Sequence, residues 1–461
     1  MSVEGYVDCI DTRHIRGWAF DPARAHESLE IAIYCGSRRL GTIPADMPRP
    51  DLKAIGYEYH HLGFCFRFPE PISRRDAEEI WAAPVGGPRL SGSLADLQRY
   101  YADLYFPQRA RFAYVLAADF QPDELGDSMR LRGDLVLPSD AVLPRIQLGE
   151  GPEVRLERDL PTVGRAKDFW FVENPDRLGF AADIPIDRQA PWNDLWLCYD
   201  EQGTTRRRPV VRIPGIPVAC PTPPPSENLV RVGGRGSAWN SFIVAGATNV
   251  LALEHLLAAH LNAKVPERGV ILDWGCGCGR TTWALAAAYP KAEIVGVDID
   301  DDNLAWARKV APGGRFILSP LFPKLPLADG SVDLIYGISV FTHLTETAQN
   351  FWLEELSRIL SPGGIAVLTL QLEVTFLSGF FDFAAIETLR SVGIQDHLCD
   401  PALNGFTGDD HYYRSTFHTS DYVRDHWARY FDIVAVDPGI SGGHQDAVIC
   451  IKRSSPHRST G

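Results

Sequence analysis

The sequence predicts an α/β protein, with a mostly parallel seven-stranded sheet in its C-terminal half and two small β-sandwich-like modules before it. Three observations predict this. From about residue 227 onward, short apolar runs alternate with amphipathic stretches of helical length, the pattern of βαβ units. The first apolar run of that half opens into a glycine-rich turn, Asp273-Trp274-Gly275-Cys276-Gly277-Cys278-Gly279, which leads into an alanine-rich helix. Upstream, two short anchors recur: Ile15-Arg16-Gly17 with Leu62-Gly63-Phe64, then Leu131-Arg132-Gly133 with Leu178-Gly179-Phe180. The interval from Gly17 to Gly63 equals that from Gly133 to Gly179, a faint internal repeat.

The N-terminal elements come first. Residues 29–34 and 63–68 alternate or run apolar over strand lengths between Gly and Pro, and each Gly-Phe anchor starts a strand-like run that stops at Pro69 or Pro185. We place the modules at residues 1–90 and 110–213, joined by a helix over 94–104. Residues 213–226 hold six prolines, which exclude helix and sheet ladders, so a stiff linker over 214–226 marks the main boundary.

The C-terminal domain spans 227–453. Its strands are expected at 270–272, 293–297, 315–318, 332–336, 365–370, 431–436 and 447–451. Helices are expected at 280–289, 302–310, 345–360 and 422–430, with Asp301 or Asp302 capping the second and Pro362-Gly363-Gly364 stopping the third. An insertion runs from the fifth strand to about His418.

Composition narrows the partners. A chain of 461 residues with 45% hydrophobic and 23% charged content is ordinary globular material. Its net charge of −14 disfavours nucleic acid, because an acidic surface repels phosphate. Nine scattered cysteines show no zinc-ligand spacing, which suits reduced thiols in the cytoplasm. The charged N-terminus lacks the apolar core of a secretory signal, and no uncharged apolar run reaches the ~18 residues of a membrane span. A cytoplasmic protein is expected. Peripheral membrane association and the oligomeric state stay open.

The glycine-rich turn suggests a nucleotide cofactor. Glycines let a ligand approach the backbone without a Cβ in the way, and a carboxylate ending the second strand, Asp298, suits ribose hydroxyls. The dinucleotide fingerprint needs glycine at position 280, where this chain has Arg280. Asp273 before the glycines suits a cationic cofactor better than a pyrophosphate.

These segments resemble a known family. ILDWGCGCGRTT is similar to motif I of class I S-adenosylmethionine (SAM)-dependent methyltransferases, VGVDID to motif II, and LPLADGSVDLIYGISVFTHL with WLEELSRILSPGG to the motifs that follow. The resemblance covers residues 227–453 and implies a Rossmann-like sheet that binds SAM. It implies that Asp273, Gly275, Cys276 and Gly277 hold the methionine end, with Gly279 closing the turn. Asp298 and Ile299 would hold ribose and adenine, and residues 318–321, Ser319 and Leu321 among them, would border the adenine. Ser319 stands where many relatives carry Asp or Asn. Ser339 would line the methyl-transfer face, and Phe242 and Gly246 would close over the cofactor.

For catalysis the first candidate base is His343, after the fourth strand, although it also suits a helix cap. His418 is the second, at the end of the insertion segment HYYRSTFH, whose Asp409, His411, Tyr412 and Tyr413 form a lid or an acceptor wall. Glu373, His444 and Gln445 are weaker candidates. No metal is expected. The tetrapeptide Gly337-Ile338-Ser339-Val340 lacks the Asp/Asn-Pro-Pro-aromatic pattern of nitrogen methyltransferases, which favours oxygen as the acceptor atom.

The first module, with GYVD, IRGWAFDP, LEIAIYCG, ADMPRPDL and LGFCFRF, resembles a β-rich module found alongside bacterial glycosyltransferases and methyltransferases of surface-polysaccharide synthesis. That implies O-methylation of a sugar in a surface polysaccharide or its lipid-linked precursor. Two alternatives stay open: a small-molecule methyltransferase of secondary metabolism whose β modules serve oligomerisation, and a non-catalytic scaffold that binds SAM or glycan.

Overall fold

The computed structural model describes residues 3–10, 14–24, 26–49, 52, 57, 61–70, 72, 76, 79–92, 128–135, 142–162, 175–233, 238–322, 324–372, 375, 389, 391–399, 412–441 and 445–453. The helix expected at 94–104 and the candidates Glu373, Asp409, His411 and His444 lie outside them. The chain forms two compact units. One takes in Met1–Arg111, Pro161–Leu178 and Phe376–Ser391, the other Phe112–Leu160, Gly179–Thr375 and Val392–Gly461.

The first unit carries β1 (Glu4–Ile10), β2 (His14–Phe20), β3 (Glu30–Cys35), β4 (Arg38–Pro44), β5 (Met47–Pro48), β6 (His61–Arg67) and β7 (Ile80–Pro84). They form two antiparallel sheets, ordered β1-β2-β6-β5 and β4-β3-β7. Along β2 the burial alternates, so Ile15 and Ala19 point inward and join Ile31, Ile33, Phe64 and Ile80 in one core.

The second unit opens with the same design. Its strands are β8 (Ser128–Asp134), β9 (Val142–Leu148), β10 (Glu153–Arg155), β11 (Glu157–Leu160), β12 (Gly179–Pro185), β13 (Trp192–Glu201) and β14 (Thr204–Pro214). The orders β11-β12-β8 and β10-β9-β13-β14 repeat β5-β6-β2 and β4-β3-β7, with β14 added. The repeated anchors fall in one register: Gly17 faces Phe64, and Gly133 faces Phe180. A Cβ on Gly17 would stand 2.7 Å from the Phe64 ring, so glycine there seats the aromatic.

This module and the α/β sheet share the second unit, and the proline-rich 214–226 lies within it. Ion pairs explain why. Arg208 of β14 lies 2.6 Å from Asp437, and Arg212 pairs with Asp194 and with Glu254, which also accepts the Tyr289 hydroxyl. Arg212 is buried, so removing either carboxylate would leave part of its charge uncompensated.

The rest of the second unit contains α1 (Ser226–Arg231), α2 (Ala245–Leu261), β15 (Val270–Trp274), α3 (Arg280–Ala288), β16 (Glu293–Asp298), α4 (Asp301–Val310), β17 (Arg315–Leu318), β18 (Val332–Gly337), α5 (Glu346–Ile359), β19 (Leu360–Leu370), β20 (Ile394–Cys399), β21 (Arg414–His418), α6 (Ser420–Trp427), β22 (Asp432–Ser441) and β23 (Gln445–Ile451). Its seven-stranded sheet runs β17-β16-β15-β18-β19-β23-β22. The first five strands are parallel, and β23 is antiparallel to both neighbours. Both faces are covered. In β15, Leu272 and Trp274 pack against α5 and α6, while Ile271 packs against α2 and α3.

Two expectations shift. Asp300, not Asp301 or Asp302, caps α4, because its side chain reaches the amide of Asn303 at 3.1 Å. The helix expected at 422–430 begins at Ser420, where Thr419 accepts the amide of Tyr422 at 3.1 Å. Among the described residues, Trp239–Leu261 is the helical stretch long and apolar enough to span a membrane by length and composition. Here it packs against β14 with Phe242, Leu253 and Leu257 in the core.

Candidate active site

The order of the sheet positions the site. β16 and β18 flank β15 on opposite sides, so the chain leaves β15 at a switch point where a crevice opens beyond the strand ends. A cavity of about 210 Å3 sits there, walled by residues that follow β15, β16 and β18.

The glycine-rich turn forms its floor. Gly275 and Gly277 have φ of +74° and +52°, a region that side chains disfavour. A Cβ on Gly275 would stand 2.3 Å from Val340, and one on Gly277 would stand 2.5 Å from Val232. The amides of Gly275 and Cys276 donate to the Val297 carbonyl, tying the turn to the end of β16.

Asp298 completes that tie. One carboxylate oxygen accepts the Gly277 amide at 2.7 Å and the other accepts the Asp300 amide at 2.9 Å. Burial still raises its pKa to about 6, with those amides opposing and the Asp300 charge adding. Asp273, the penultimate residue of β15, has its carboxylate buried and accepting the Thr282 hydroxyl at 2.6 Å. Burial pushes it to about 7, with Thr282 opposing and the Asp298 charge adding. Two carboxylates thus face one cavity at a cost that a cationic ligand would relieve.

The opposite wall comes from β18 and the insertion. Ser339 is a non-glycine residue at φ +62°, pinned by a closed set of hydrogen bonds. Its amide donates to Thr369 Oγ1, which donates to Gln445 Oε1, and Gln445 Nε2 donates to Ser339 Oγ. Ser339 Oγ also lies 3.2 Å from Thr342 Oγ1, which donates to the Ser339 carbonyl. His343 Nδ1 lies 2.9 Å from the Arg414 carbonyl, which only accepts, so Nδ1 carries a proton, and in the neutral ring the lone pair is on Nε2. The His343 ring stacks on Tyr413, with centroids 4.1 Å apart.

Most of the expected residues meet at this cavity: Asp273, Gly275, Cys276, Gly277, Asp298, Ile299, Ser319, Ser339, His343, Tyr412 and Tyr413 all line it. Ser319 is buried, and its hydroxyl donates to the Pro320 carbonyl.

Five expectations are corrected. Gly279 is off the wall; it precedes α3 at φ +84°, where a Cβ would strike Ala307 and Val310 of α4. Leu321 is also off it, its side chain packed on the core and its carbonyl accepting the Tyr412 hydroxyl. Phe242 and Gly246 lie in the packing of α2, where a Cβ on Gly246 would meet the Arg280 carbonyl at 2.0 Å. His418 is fully buried in the core, with Nε2 2.9 Å from Gln349 Oε1. The Gln349 amide donates to the Leu344 carbonyl, so its oxygen faces His418, and His418 is the donor. Burial lowers the His418 pKa to about 3, which keeps it neutral and away from any substrate.

Sequence reasoning missed Arg231 at the end of α1, Val232 and Gly233 after it, Asn303 of α4, and the cavity-facing place of Arg280. Gly233, at φ +72°, was the one local signal. Among the described residues no three His, Cys, Asp or Glu side chains cluster as metal ligands.

Residues 271–364 match the family model described as "Methyltransferase domain". The chain is 35% identical over 113 residues to a trans-aconitate 2-methyltransferase of Variovorax paradoxus, covering 24% of this chain and 42% of that one. It is 31% identical over 162 residues to a malonyl-[acyl-carrier protein] O-methyltransferase of Methylococcus capsulatus, covering 32% and 58%. The chain therefore spans about half the length of these relatives. A SAM-dependent methyltransferase structure from Methanosarcina mazei is 18% identical with a TM-score of 0.32, covering 43% of this chain and 98% of that one. Residues 271–364, which run from β15 through β18 into the start of β19 and carry the glycine turn, Asp298, Ser339 and His343, are thus the part of the chain that is similar to methyltransferases.

Proposed function

We propose that this protein is a cytoplasmic SAM-dependent methyltransferase that methylates oxygen, with a hydroxyl of a surface-polysaccharide sugar or its lipid-linked precursor as acceptor. The observation that carries the reading is the glycine turn braced on Asp298, with that half-buried carboxylate and the buried Asp273 at its edges, both of raised pKa. They fit SAM, which carries a sulfonium and an ammonium. Asp298 offers its remaining lone pairs to ribose, Gly275 and Gly277 let the turn pack against Val340 and Val232 at the cavity floor, and Asp273 faces the cationic end. When bound, SAM supplies a methyl carbon activated by its sulfonium.

The chain's residues then align and deprotonate the acceptor. Tyr412, Tyr413 and Trp352 wall the cavity on the His343 side and exclude water. His343 Nε2 takes the acceptor hydroxyl's proton as the new C–O bond forms, and the Arg414 carbonyl steadies the resulting imidazolium through Nδ1. The pinned Ser339 fixes the wall beside them.

The sugar acceptor is supported by the resemblance of the first module and by its aromatic cluster, in which Trp18 and Phe20 meet Tyr57 edge-on at 5.2 and 5.5 Å. The second reading, a small-molecule acceptor, is favoured by the names of the relatives above. Incubation of the purified protein with methyl-labelled SAM and fractionated glycans, lipid-linked sugars or small organic acids decides between them. Label in a sugar ether supports the proposal and label in a small acid supports the second reading. Bound but unturned SAM with every acceptor would leave a non-catalytic scaffold.

A pH dependence follows. Asp273 and Asp298 titrate near 7 and 6 in the free protein, against an ordinary value of 3.8. A cation binds the charged forms, so affinity rises with pH through this window and levels off above it, by up to about tenfold per unit per proton. The free protein behaves oppositely, because raised pKa values contribute stability below the unfolded value that is lost as pH rises through 6–7. Calorimetric titration should find SAM bound about 10–100-fold more weakly at pH 5 than at pH 8. An affinity flat across that range would remove the carboxylates from the binding step.

A further inference from the structure

Methyl transfer to a hydroxyl moves a charge. As the acceptor oxygen bonds the methyl carbon, the C–S bond breaks and its electron pair stays on sulfur, which becomes a neutral thioether. The hydroxyl proton passes to His343 Nε2. The positive charge that sat on sulfur therefore ends on the imidazole ring, and the chain must accommodate it there.

Two successive residues, Tyr413 and Arg414, hold that ring. His343 closes the 3-10 turn Phe341–His343, with its amide on the Val340 carbonyl at 3.0 Å. The torsion that turns an imidazole about its Cβ–Cγ bond is soft and roughly two-fold, so the backbone alone does not aim Nε2. The Arg414 carbonyl, 2.9 Å from Nδ1, selects one of the two flipped states. The Tyr413 ring lies 4.1 Å from the imidazole and within 9° of parallel with it, which fixes the plane. Tyr413 and His343 both line the cavity.

The stack also has an electrostatic sense. An aromatic face is negative, so it attracts a cation held within about 6 Å of its centroid, and more strongly where water is excluded. An imidazolium above Tyr413 meets that condition, and a neutral imidazole gains far less. We propose that Tyr413 is the positioning residue of the base, holding the plane of the His343 ring and stabilising the imidazolium that forms on it. This rests on the reading of His343 above and deepens it. Among the described residues, the other ionisable groups around the ring are Arg414 and the neutral His418 of β21 and Glu346 at the start of α5. Across the cavity stand Asp273, Asp298, Arg280 and the Arg231–Asp300 pair, and β19 brings none. All are the same in every variant compared below, so they cancel.

The test reads the imidazole itself. Nitrogen-15 NMR of the full chain labelled at histidine, with the His343 signal assigned from its loss in His343→Asn, gives the pH at which half the ring is protonated. Tyr413→Leu should move that midpoint down by about 0.5–1 pH unit, and Tyr413→Phe, which keeps the ring face, by less than about 0.2. With the glycan fraction that takes label from SAM, Tyr413→Leu should lower kcat about 3–10-fold and leave SAM affinity within about twofold, and Tyr413→Phe should recover most of that rate. A midpoint unmoved in Tyr413→Leu overturns the proposal. An equal fall in Tyr413→Phe overturns it too, because the phenol hydroxyl and not the ring face would then be responsible. Should Tyr413→Leu not fold, Tyr413→Trp decides: its richer face should hold the midpoint or raise it, and a fall overturns the proposal. Wild-type turnover by His343→Asn would remove the base, and with it the part of Tyr413 in the reaction, an outcome distinct from an unmoved midpoint.

Discussion

Asp298→Ala is expected to abolish measurable SAM binding under ordinary titration conditions. Two effects add. The variant loses charge-assisted hydrogen bonds to the ribose, together worth about 2–4 kcal/mol, or roughly 30–1000-fold in affinity. It also strips acceptors from the Gly277 and Asp300 amides, which hold the turn and start α4. Unmet amides in this site cost about 1–3 kcal/mol, so the folded protein should also melt earlier. Asp298→Asn separates the effects. Its amide oxygen accepts one backbone N–H and its NH2 cannot accept the other, so it should keep part of the turn and lose the charge. Calorimetric titration with SAM and a melting curve for each variant read both effects. Wild-type affinity in Asp298→Ala would mean that another residue grips the ribose.

The second large effect is on turnover. His343→Ala should lower kcat by about 10²–10⁴-fold for a hydroxyl acceptor, the usual contribution of a general base, while SAM affinity stays within about twofold. The ring also supports Tyr413 and the Arg414 carbonyl, so a wall effect must be told apart from a base effect. His343→Asn retains a donor toward Arg414 and carries no base. It should therefore be as slow as alanine if deprotonation matters, and recover if only the wall matters. An acceptor that ionises in solution needs no base, so with a carboxylate or an acidic phenol the defect should shrink. Full turnover of both variants with a sugar hydroxyl would remove His343 as the base.

The parts of this fold legible in the sequence are those that short-range physics dictates. Parallel strands buried on both faces read as continuous apolar runs, so the ranges of β15, β16 and β18 emerged within a residue or two. The turn was legible because three alternate glycines have few other uses. Asp298 was legible because a carboxylate at the end of the second strand sits at the crevice by topology alone. What was hidden depends on contacts between distant residues. Gln445 meets Ser339 across 106 positions, and Val232 meets the glycine turn only because α1 folds back over it. His418 misled for a different reason. It shares a strand with residues near the cavity, but burial sets in over Thr416–His418, and the sequence does not say on which side the last residue falls. The proline-rich stretch looked like a boundary because prolines break ladders. Yet the strand before it is bound to α2 and β22 through Arg212 and Arg208, charges whose partners no local pattern reveals.

A crystal structure of the full chain grown with S-adenosylhomocysteine tests most directly whether this crevice is where the donor sits. The expected density lies beyond the ends of β15 and β16, with the ribose on Asp298 and the sulfur turned toward the Ser339–His343 wall. Ligand density elsewhere on the protein, or a different molecule seated on the glycine turn, would contradict it.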